Sequence, residues 1–319
     1  KEIRMMPKYV LLISAICISL ILISQPSPDS KLAIPSNNRV KPLQSSAAVE
    51  FKDVSLDWKI HNKHIQTSKQ LSALTETLGA GVCTFDFNQD GWLDIFFVGG
   101  SGHSRHYGRK SWWHKTSGNR LLLNIQGKYF KDISEKAGLT DRIWGMSCSV
   151  SDFNNDGFVD LLVTSTESNQ LYKNNGEGKF INITADSGIK GKSWSTGASI
   201  ADFNKDGLLD IYISNYIRYK KGARTFERTS GFKTTGNVAF DPTLYDPGSN
   251  KLYLNKGNFK FEIVTQKTGV GSSIGRSLGA NWVDLNKDSW LDLVVINDHS
   301  SPNQVFINQK GLKFSRSKE

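Results

Sequence analysis

Four short stretches of this chain concentrate side-chain oxygens around a tight bend: DFNQDGWLD (86–94), DFNNDGFVD (152–160), DFNKDGLLD (202–210) and DLNKDSWLD (284–292). In the order D-x-N-x-D-G-x-x-D, positions 1, 3, 5 and 9 offer carboxylate or amide oxygens. Position 7 offers its backbone carbonyl, and glycine at position 6 lets the chain fold back on itself. The donor sets are then Asp86, Asn88, Asp90, Trp92 and Asp94; Asp152, Asn154, Asp156, Phe158 and Asp160; Asp202, Asn204, Asp206, Leu208 and Asp210; and Asp284, Asn286, Asp288, Trp290 and Asp292. Three carboxylates this close repel one another unless a cation lies among them. Calcium accepts roughly six to eight oxygens in irregular geometry, whereas magnesium usually keeps several waters. No histidine or cysteine stands in any of the loops, which argues against zinc or copper. An EF-hand would need glutamate at position 12 and flanking helices, but position 12 is Phe97, Val163, Ile213 or Val295. The expectation is four strand–loop–strand calcium sites. The fourth should be the weakest, because Ser289 replaces the glycine and an L-residue is strained at positive φ.

The segments around these loops repeat as well. Each loop follows a β-like run, GVCTF (81–85), SCSVS (147–151), GASIA (197–201) or GANWV (279–283), and enters a second, LDIFFV, VDLLVT, LDIYIS or LDLVVI. A third run follows, NRLLLNIQG (119–127), NQLYKNNGEG (169–178), NKLYLNKG (250–257) or NQVFINQKG (303–311). FKDIS (130–134), FINIT (180–184) and FEIVT (261–265) supply a fourth. A stray copy, FKDVS (51–55), precedes the first unit, and the last unit ends on KFSRSKE where its fourth run belongs. Four short strands per unit with turn residues between them describe a β-propeller blade, and the 50-residue step from Asp152 to Asp202 is a blade-like period. No unit carries a helical stripe, which excludes a helical solenoid, while an antiparallel sandwich of repeated hairpins is the competing all-β architecture. The fold class is therefore all-β: a propeller of four-stranded antiparallel blades, about four of them visible, as a partial or open ring or a small ring that FKDVS completes.

The loops and the N-x-L-Y-x-N…F-x-x-[IV]-[ST] second half of each unit resemble the FG-GAP/VCBS repeats of integrin α-chain-like propellers. FKDVS…LGAGVCTFDFNQDGWLDIFFVGG is similar to the opening of the cartilage-acidic-protein-like (ASPIC/UnbV) group. The resemblance covers about residues 49–319. It implies a calcium-bound propeller, typically seven-bladed, used for adhesion or assembly rather than catalysis.

The N-terminus reads differently. Lys1, Arg4 and Lys8 precede YVLLISAICISLILIS (9–24), an uncharged apolar run that reads as a signal peptide or signal-anchor over residues 1–24. As a helix it would reach about 24 Å, short of a bilayer core of ~30 Å. Residues 25–48 hold four of the eight prolines and read as a tether, with the propeller at 49–319. The protein is thus expected outside the cytoplasm, secreted, periplasmic or membrane-anchored. Of the three cysteines, Cys83 and Cys148 stand three and four residues ahead of their loops. The two-residue strand period points them to opposite faces, so they read as unpaired core residues.

The chain's net charge of +10 hides a division. Twelve of its 30 acidic residues lie in the four loops, which leaves 18 acids elsewhere against 40 lysines and arginines. Two long insertions hold much of that basic charge. Residues 99–118 carry Arg105, Arg109, Lys110, Trp112 and Trp113; residues 215–249 carry Arg218, Lys220, Lys221, Arg224 and Arg228. Both follow the second strand of their unit, which in an antiparallel blade places them on the face opposite the acidic loops. A basic and aromatic face suits an acidic protein surface, an anionic glycan or lipid headgroups. Nucleic acid is not expected of an exported chain. His103, His106 and His114 lie in a flexible insertion without acidic neighbours and make a poor metal site. There is no nucleophile elbow, H-E-x-x-H or P-loop, so the chain reads as no enzyme. The NIT triplet at 182–184 fits a glycosylation sequon but falls in an expected strand. The function read from sequence is an extracytoplasmic calcium-binding interaction, adhesion or accessory-subunit module; a carbohydrate-binding propeller, or the non-catalytic part of a glycan-processing enzyme, is the alternative.

Overall fold

The computed structural model describes residues 51–60, 80–99, 118–141, 143–191, 193–218, 242, 245–271, 275–298 and 301–317. The chain divides into two units, 1–51 and 52–319. Of the first only Phe51 is described, so the expected signal or anchor and tether fall outside the described residues. No helix among the described residues is long and apolar enough to cross a membrane.

Among the described residues the second unit holds four four-stranded antiparallel sheets, consistent with propeller blades. The first comprises β1 (Val82–Phe85), β2 (Asp94–Phe97), β3 (Arg120–Ile125) and β4 (Tyr129–Asp132). The second comprises β5 (Gly145–Ser151), β6 (Asp160–Ser165), β7 (Gln170–Asn174) and β8 (Phe180–Asn182). β9 (Ser195–Ala201), β10 (Asp210–Asn215), β11 (Lys251–Asn255) and β12 (Phe261–Ile263) form the third. β13 (Ser277–Val283), β14 (Asp292–Asn297), β15 (Gln304–Gln309) and β16 (Lys313–Arg316) form the fourth. Within every sheet the strands lie side by side in chain order. KFSRSKE itself supplies the fourth strand of the last unit, with Phe314 opposite Asn308.

The middle strands of the second and third sheets are apolar on both faces because those sheets are packed on both sides. On β6, Leu161 and Val163 belong to the core between sheets one and two, while Leu162 belongs to the core between sheets two and three. On β10, Ile211 and Ile213 face the second sheet and Tyr212 faces the fourth. The period-2 alternation thus divides β6 and β10 between two cores instead of between core and solvent.

Recurring polar residues set the edges of each unit. The first asparagine of the third run closes the turn from the second strand: the Oδ1 atoms of Asn119, Asn169, Asn250 and Asn303 accept the amides of Gly99, Ser165, Asn215 and Asn297. The hydroxyls of Ser134, Thr184 and Thr265, at the end of the fourth run, accept from Leu121, Leu171 and Leu252 on the third.

After the fourth strand the chain makes a short turn that packs on the next sheet, including the one-turn helices α1 (Thr184–Ser187) and α2 (Thr265–Thr268). The turn ends on a left-handed residue, Gly138, Gly188 or Gly269, at φ 78°, 85° and 85°. A Cβ at Gly188 would lie 2.3 Å from the Phe261 carbonyl oxygen, so glycine is needed there for conformation and space alike. Residues 52–60 repeat this turn. Lys59 takes the glycine's place at φ 57°, and the Trp58 carbonyl accepts from Phe130 as the Ala137 carbonyl accepts from Phe180. The stray FKDVS copy therefore leads a turn onto the first sheet and does not complete the last sheet, where β16 already fills the fourth place.

The cysteines are the second correction. Cys83 and Cys148 form a disulfide joining β1 to β5. They do point to opposite faces of their own sheets, but the face that sheet one turns toward sheet two is met by the opposite face of sheet two. Opposite parity is therefore what brings them together. In the second and third sheets serines stand where Cys83 stands: Ser149 Oγ donates to the Ala198 carbonyl (2.9 Å) and Ser199 Oγ to the Ala280 carbonyl (2.8 Å).

Candidate metal centre

Each acidic loop joins the first and second strands of its sheet, and the four are built alike. The position-1 carboxylate accepts two backbone amides of its own loop. Asp86 takes those of Asp90 (3.1 Å) and Gly91 (2.8 Å), and Asp152, Asp202 and Asp284 repeat the pair. The position-3 amide donates across the bend to the position-5 carboxylate, Asn88 to Asp90 at 3.0 Å and Asn154 to Asp156 at 2.8 Å. The other oxygen of position 5 accepts the amide of position 7, as Asp90 does from Trp92. These local bonds bend the loop so that positions 1, 3 and 5 share one side.

Position 9 behaves differently. Asp94, Asp160, Asp210 and Asp292 are buried at the start of the second strand. One oxygen of each accepts the amide of position 2: Phe87, Phe153, Phe203 or Leu285. The other accepts the amide of an asparagine on the third strand: Asn124, Asn174, Asn255 or Asn308. Burial pushes the carboxyls of Asp94, Asp160 and Asp210 up to about 6, 7 and 7, and the nearby position-5 and position-1 aspartates add to the rise. Position 9 therefore fastens the loop to the sheet, a role its resemblance to positions 1, 3 and 5 concealed.

The third-strand asparagines were not singled out as site residues. Asn174 Nδ2 donates to the Phe87 carbonyl in the preceding sheet's loop (3.0 Å), as Asn255 does to Phe153 and Asn308 to Phe203 (2.8 and 2.9 Å). Their signal was the last asparagine of N-x-L-Y-x-N, present in every unit. Position 4 is a further surprise. Gln89, Asn155, Lys205 and Lys287 all have positive φ, between 57° and 62°. Gln89 Nε2 bonds the Gly157 carbonyl of the next loop (2.7 Å) and Asn155 Nδ2 that of Gly207 (3.0 Å), while Lys205 Nζ lies 4.4 Å from the centre of the Trp290 ring. The loops are thus linked side by side.

Position 6 follows the expected backbone. Gly91, Gly157 and Gly207 have φ of 84°, 89° and 85°, and Ser289 is held at 70°. The position-7 side chains Trp92, Phe158 and Trp290 lie against Gly127, Gly176 and Gly311 of the third-to-fourth-strand turns. Those turns and the loops accordingly share one end of the sheets, as the antiparallel order requires.

Among the described residues, no three histidine, cysteine or acidic side chains converge as a ready-made ion cage. The donor chemistry nonetheless fits a hard cation, because every side chain at positions 1, 3, 5 and 9 ends in oxygen. In the second loop Asn154 Oδ1 is shielded from solvent without a hydrogen-bond partner, an acceptor that a cation would satisfy. Lys173 Nζ already lies 3.3 Å from Asp156 in the same loop. Of the basic-face residues only Arg218 is described, beside Ser249 on the exposed side of the β10–β11 connection. Arg105, Arg109, Lys110, Trp112, Trp113, Lys220, Lys221, Arg224 and Arg228, and the three insertion histidines, lie outside the described residues.

The repeated loop, with its buried ninth aspartate and third-strand asparagine, coincides with a family match. Residues 86–163 and 152–213 match the FG-GAP-like repeat model. Residues 86–213 carry FG-GAP-like repeats. Nothing in that match separates out the cartilage-acidic-protein-like group, and no curated protein matches the chain. Among solved structures, the chain is similar to an Agrocybe aegerita lectin with specific recognition of non-reducing terminal N-acetylglucosamine. The identity is 16%, with 74% of this chain and 51% of the lectin covered and a TM-score of 0.38. It is also similar to the V. cholerae biofilm matrix protein Bap1, at 15% identity, 76% and 39% coverage and a TM-score of 0.31. The chain spans about half or less of the length of these structures.

Proposed function

We propose that this chain is a calcium-stabilised, propeller-type interaction module that works outside the cytoplasm. The observation that carries the calcium reading is the fourfold recurrence of one oxygen-rich bend, with Asn154 Oδ1 left as a shielded, unpartnered acceptor in the second copy. Positions 1, 3 and 5 of each loop, with the position-7 carbonyl, would hold the ion, and position 9 would add its carboxylate from behind. A bound cation would relieve the repulsion that these carboxylates impose on one another, so metal and fold would stabilise each other. The Cys83–Cys148 disulfide supports an oxidising compartment, in keeping with the apolar N-terminal run. That compartment also suits an acidic loop of modest calcium affinity.

In this reading the module is non-catalytic. Its partner-binding part is the basic and aromatic insertions on the face opposite the loops, and the partner is an acidic protein surface. Calorimetric titration of chelated, purified protein with calcium is the direct test. Heat at saturable sites, together with a rise in Tm on adding calcium, is expected, and the fourth loop should fill last. Absence of both effects at millimolar calcium would refute the reading. For the partner, pull-downs compare the intact chain with a variant lacking residues 219–241, run beside a glycan array. Protein capture lost on deletion supports the interaction reading, and sugar-specific retention would replace it with the carbohydrate-binding one.

A further inference from the structure

The second loop has a neighbour that the other three lack. On the third strand of each sheet, the residue before the last asparagine of N-x-L-Y-x-N is Leu123, Leu254 or Ile307 in sheets one, three and four, but Lys173 in sheet two. Its ammonium reaches the position-5 carboxylate of its own sheet's loop, with Nζ 3.3 Å from Asp156 Oδ2. Among the described residues this is the only ion pair to an aspartate of the four loops; the other two join Lys52 to Asp57 and Arg120 to Asp132. The same Oδ2 also accepts the Asn154 amide (2.8 Å), while Asp156 Oδ1 is engaged by the Phe158 amide (3.0 Å). Oδ2 is thus the atom that Asp156 has to offer a cation, and the lysine is already beside it.

The next sheet supports the lysine from the other side. Lys173 Nζ lies 5.5 Å from the centre of the Phe259 ring, in the turn between β11 and β12, and that ring is 8% exposed. Phe259 departs from the repeat as well, since the equivalent turn residue is Gly178 in sheet two and Leu312 in sheet four. An ammonium between a carboxylate and an aromatic ring gains from both, which fixes it at the junction of sheets two and three. A positive charge in this place has two effects. It offsets the mutual repulsion of Asp152, Asp156 and Asp160, which a metal would otherwise have to relieve. It also opposes a divalent ion that uses the same oxygen. A unit charge ~6 Å from a double charge costs roughly tenfold in affinity even at the dielectric of water.

We infer that Lys173 is a built-in competitor of calcium at the second loop, an inference that rests on the calcium reading of the loops. The first and third loops, with leucine in the lysine's place, fill ahead of the second. The second keeps its bend on its own ammonium when calcium is scarce, and takes the ion at roughly tenfold higher concentration than the third. The test is a calcium titration of the chelated full-length chain labelled with 15N-glycine. The amides of Gly157 and Gly207, which donate to Asp152 (2.7 Å) and Asp202 (2.8 Å), report on the second and third loops separately. In the unaltered chain the Gly157 midpoint should lie about tenfold above that of Gly207. Lys173→Met, which keeps a long stem without its charge, should bring the two midpoints together, while Lys173→Arg should preserve the gap. In chelator, the Gly157 amide should exchange with solvent more slowly than that of Gly207, and Lys173→Met should abolish the difference. The inference is overturned if the midpoints coincide in the unaltered chain, or if the gap survives in Lys173→Met. If neither glycine responds to calcium in either protein, the calcium reading itself falls, and the competition with it.

Discussion

The junction between the first two sheets and the two junctions after it place the same pair of positions in contact, yet close it with different chemistry. At the first, Cys83 and Cys148 are covalently bonded; at the next two, Ser149 and Ser199 donate to backbone carbonyls. Beneath this difference the three junctions share one plan. An aromatic residue at loop position 2 enters the core, and at each of the three an asparagine of the following sheet donates its Nδ2 to that residue's carbonyl. The comparison separates two contributions to holding sheets together: burial, which every junction repeats, and a local clasp, which varies.

If burial dominates, the largest effect comes from the shared aromatic. Phe87→Ala at the disulfide junction and Phe153→Ala at the serine junction should each cost about 3–5 kcal/mol of unfolding free energy, measured with urea. A much smaller loss for Phe87→Ala would show that the covalent clasp, not the core, holds the first junction. Next, Cys83→Ser/Cys148→Ser removes a link closing a 65-residue separation and should cost about 2–4 kcal/mol. Ser149→Ala should cost only about 0.5–1.5 kcal/mol, the net worth of one hydrogen bond. Equal losses from these two changes would erase the distinction between the clasps. Leu285→Ala, at a position about half-exposed in the fourth sheet's loop, should stay within about 0.5 kcal/mol.

The ninth-position aspartates add a pH test of the same junctions. The carboxyls of Asp94, Asp160 and Asp210 are raised to about 6, 7 and 7 by burial, so the folded state holds these protons more tightly than the unfolded chain does. Their contribution is fully present below the unfolded pKa near 4 and is lost as pH rises through 6 to 7. Calcium-free protein should therefore lose Tm between pH 5 and pH 8. If the loops hold calcium, the increment in Tm on adding it should grow over the same window, because the ion favours the ionised form. An increment larger at pH 5 would contradict that.

Much of this architecture was legible because the chain states it four times. The strand runs, the loops and the end of the sheets that they share could be read from spacing alone, since a repeated unit leaves few ways to place its turns. The cysteines were misread for a definite reason: strand parity was judged within one sheet, whereas neighbouring sheets meet through opposite faces. That Asp160 is buried and ties its loop to the sheet could not be read from residue type; only the packed sheet shows its oxygens accepting the amides of Phe153 and Asn174. FKDVS looked like a strand that closes the last sheet. Its sequel, LDWKI, carries the turn that places it on the first, and Lys59 in the glycine's position hid that likeness.

The amides of Gln89 and Asn155 reach sideways to carbonyls in the adjoining bends. A disturbance in one bend, whether a proteolytic nick, a deamidated asparagine or the arrival of an ion, is therefore passed to its neighbour without crossing a hydrophobic layer. Damage to a single repeat would spread along that end of the sheets as a zipper opens, tooth by tooth.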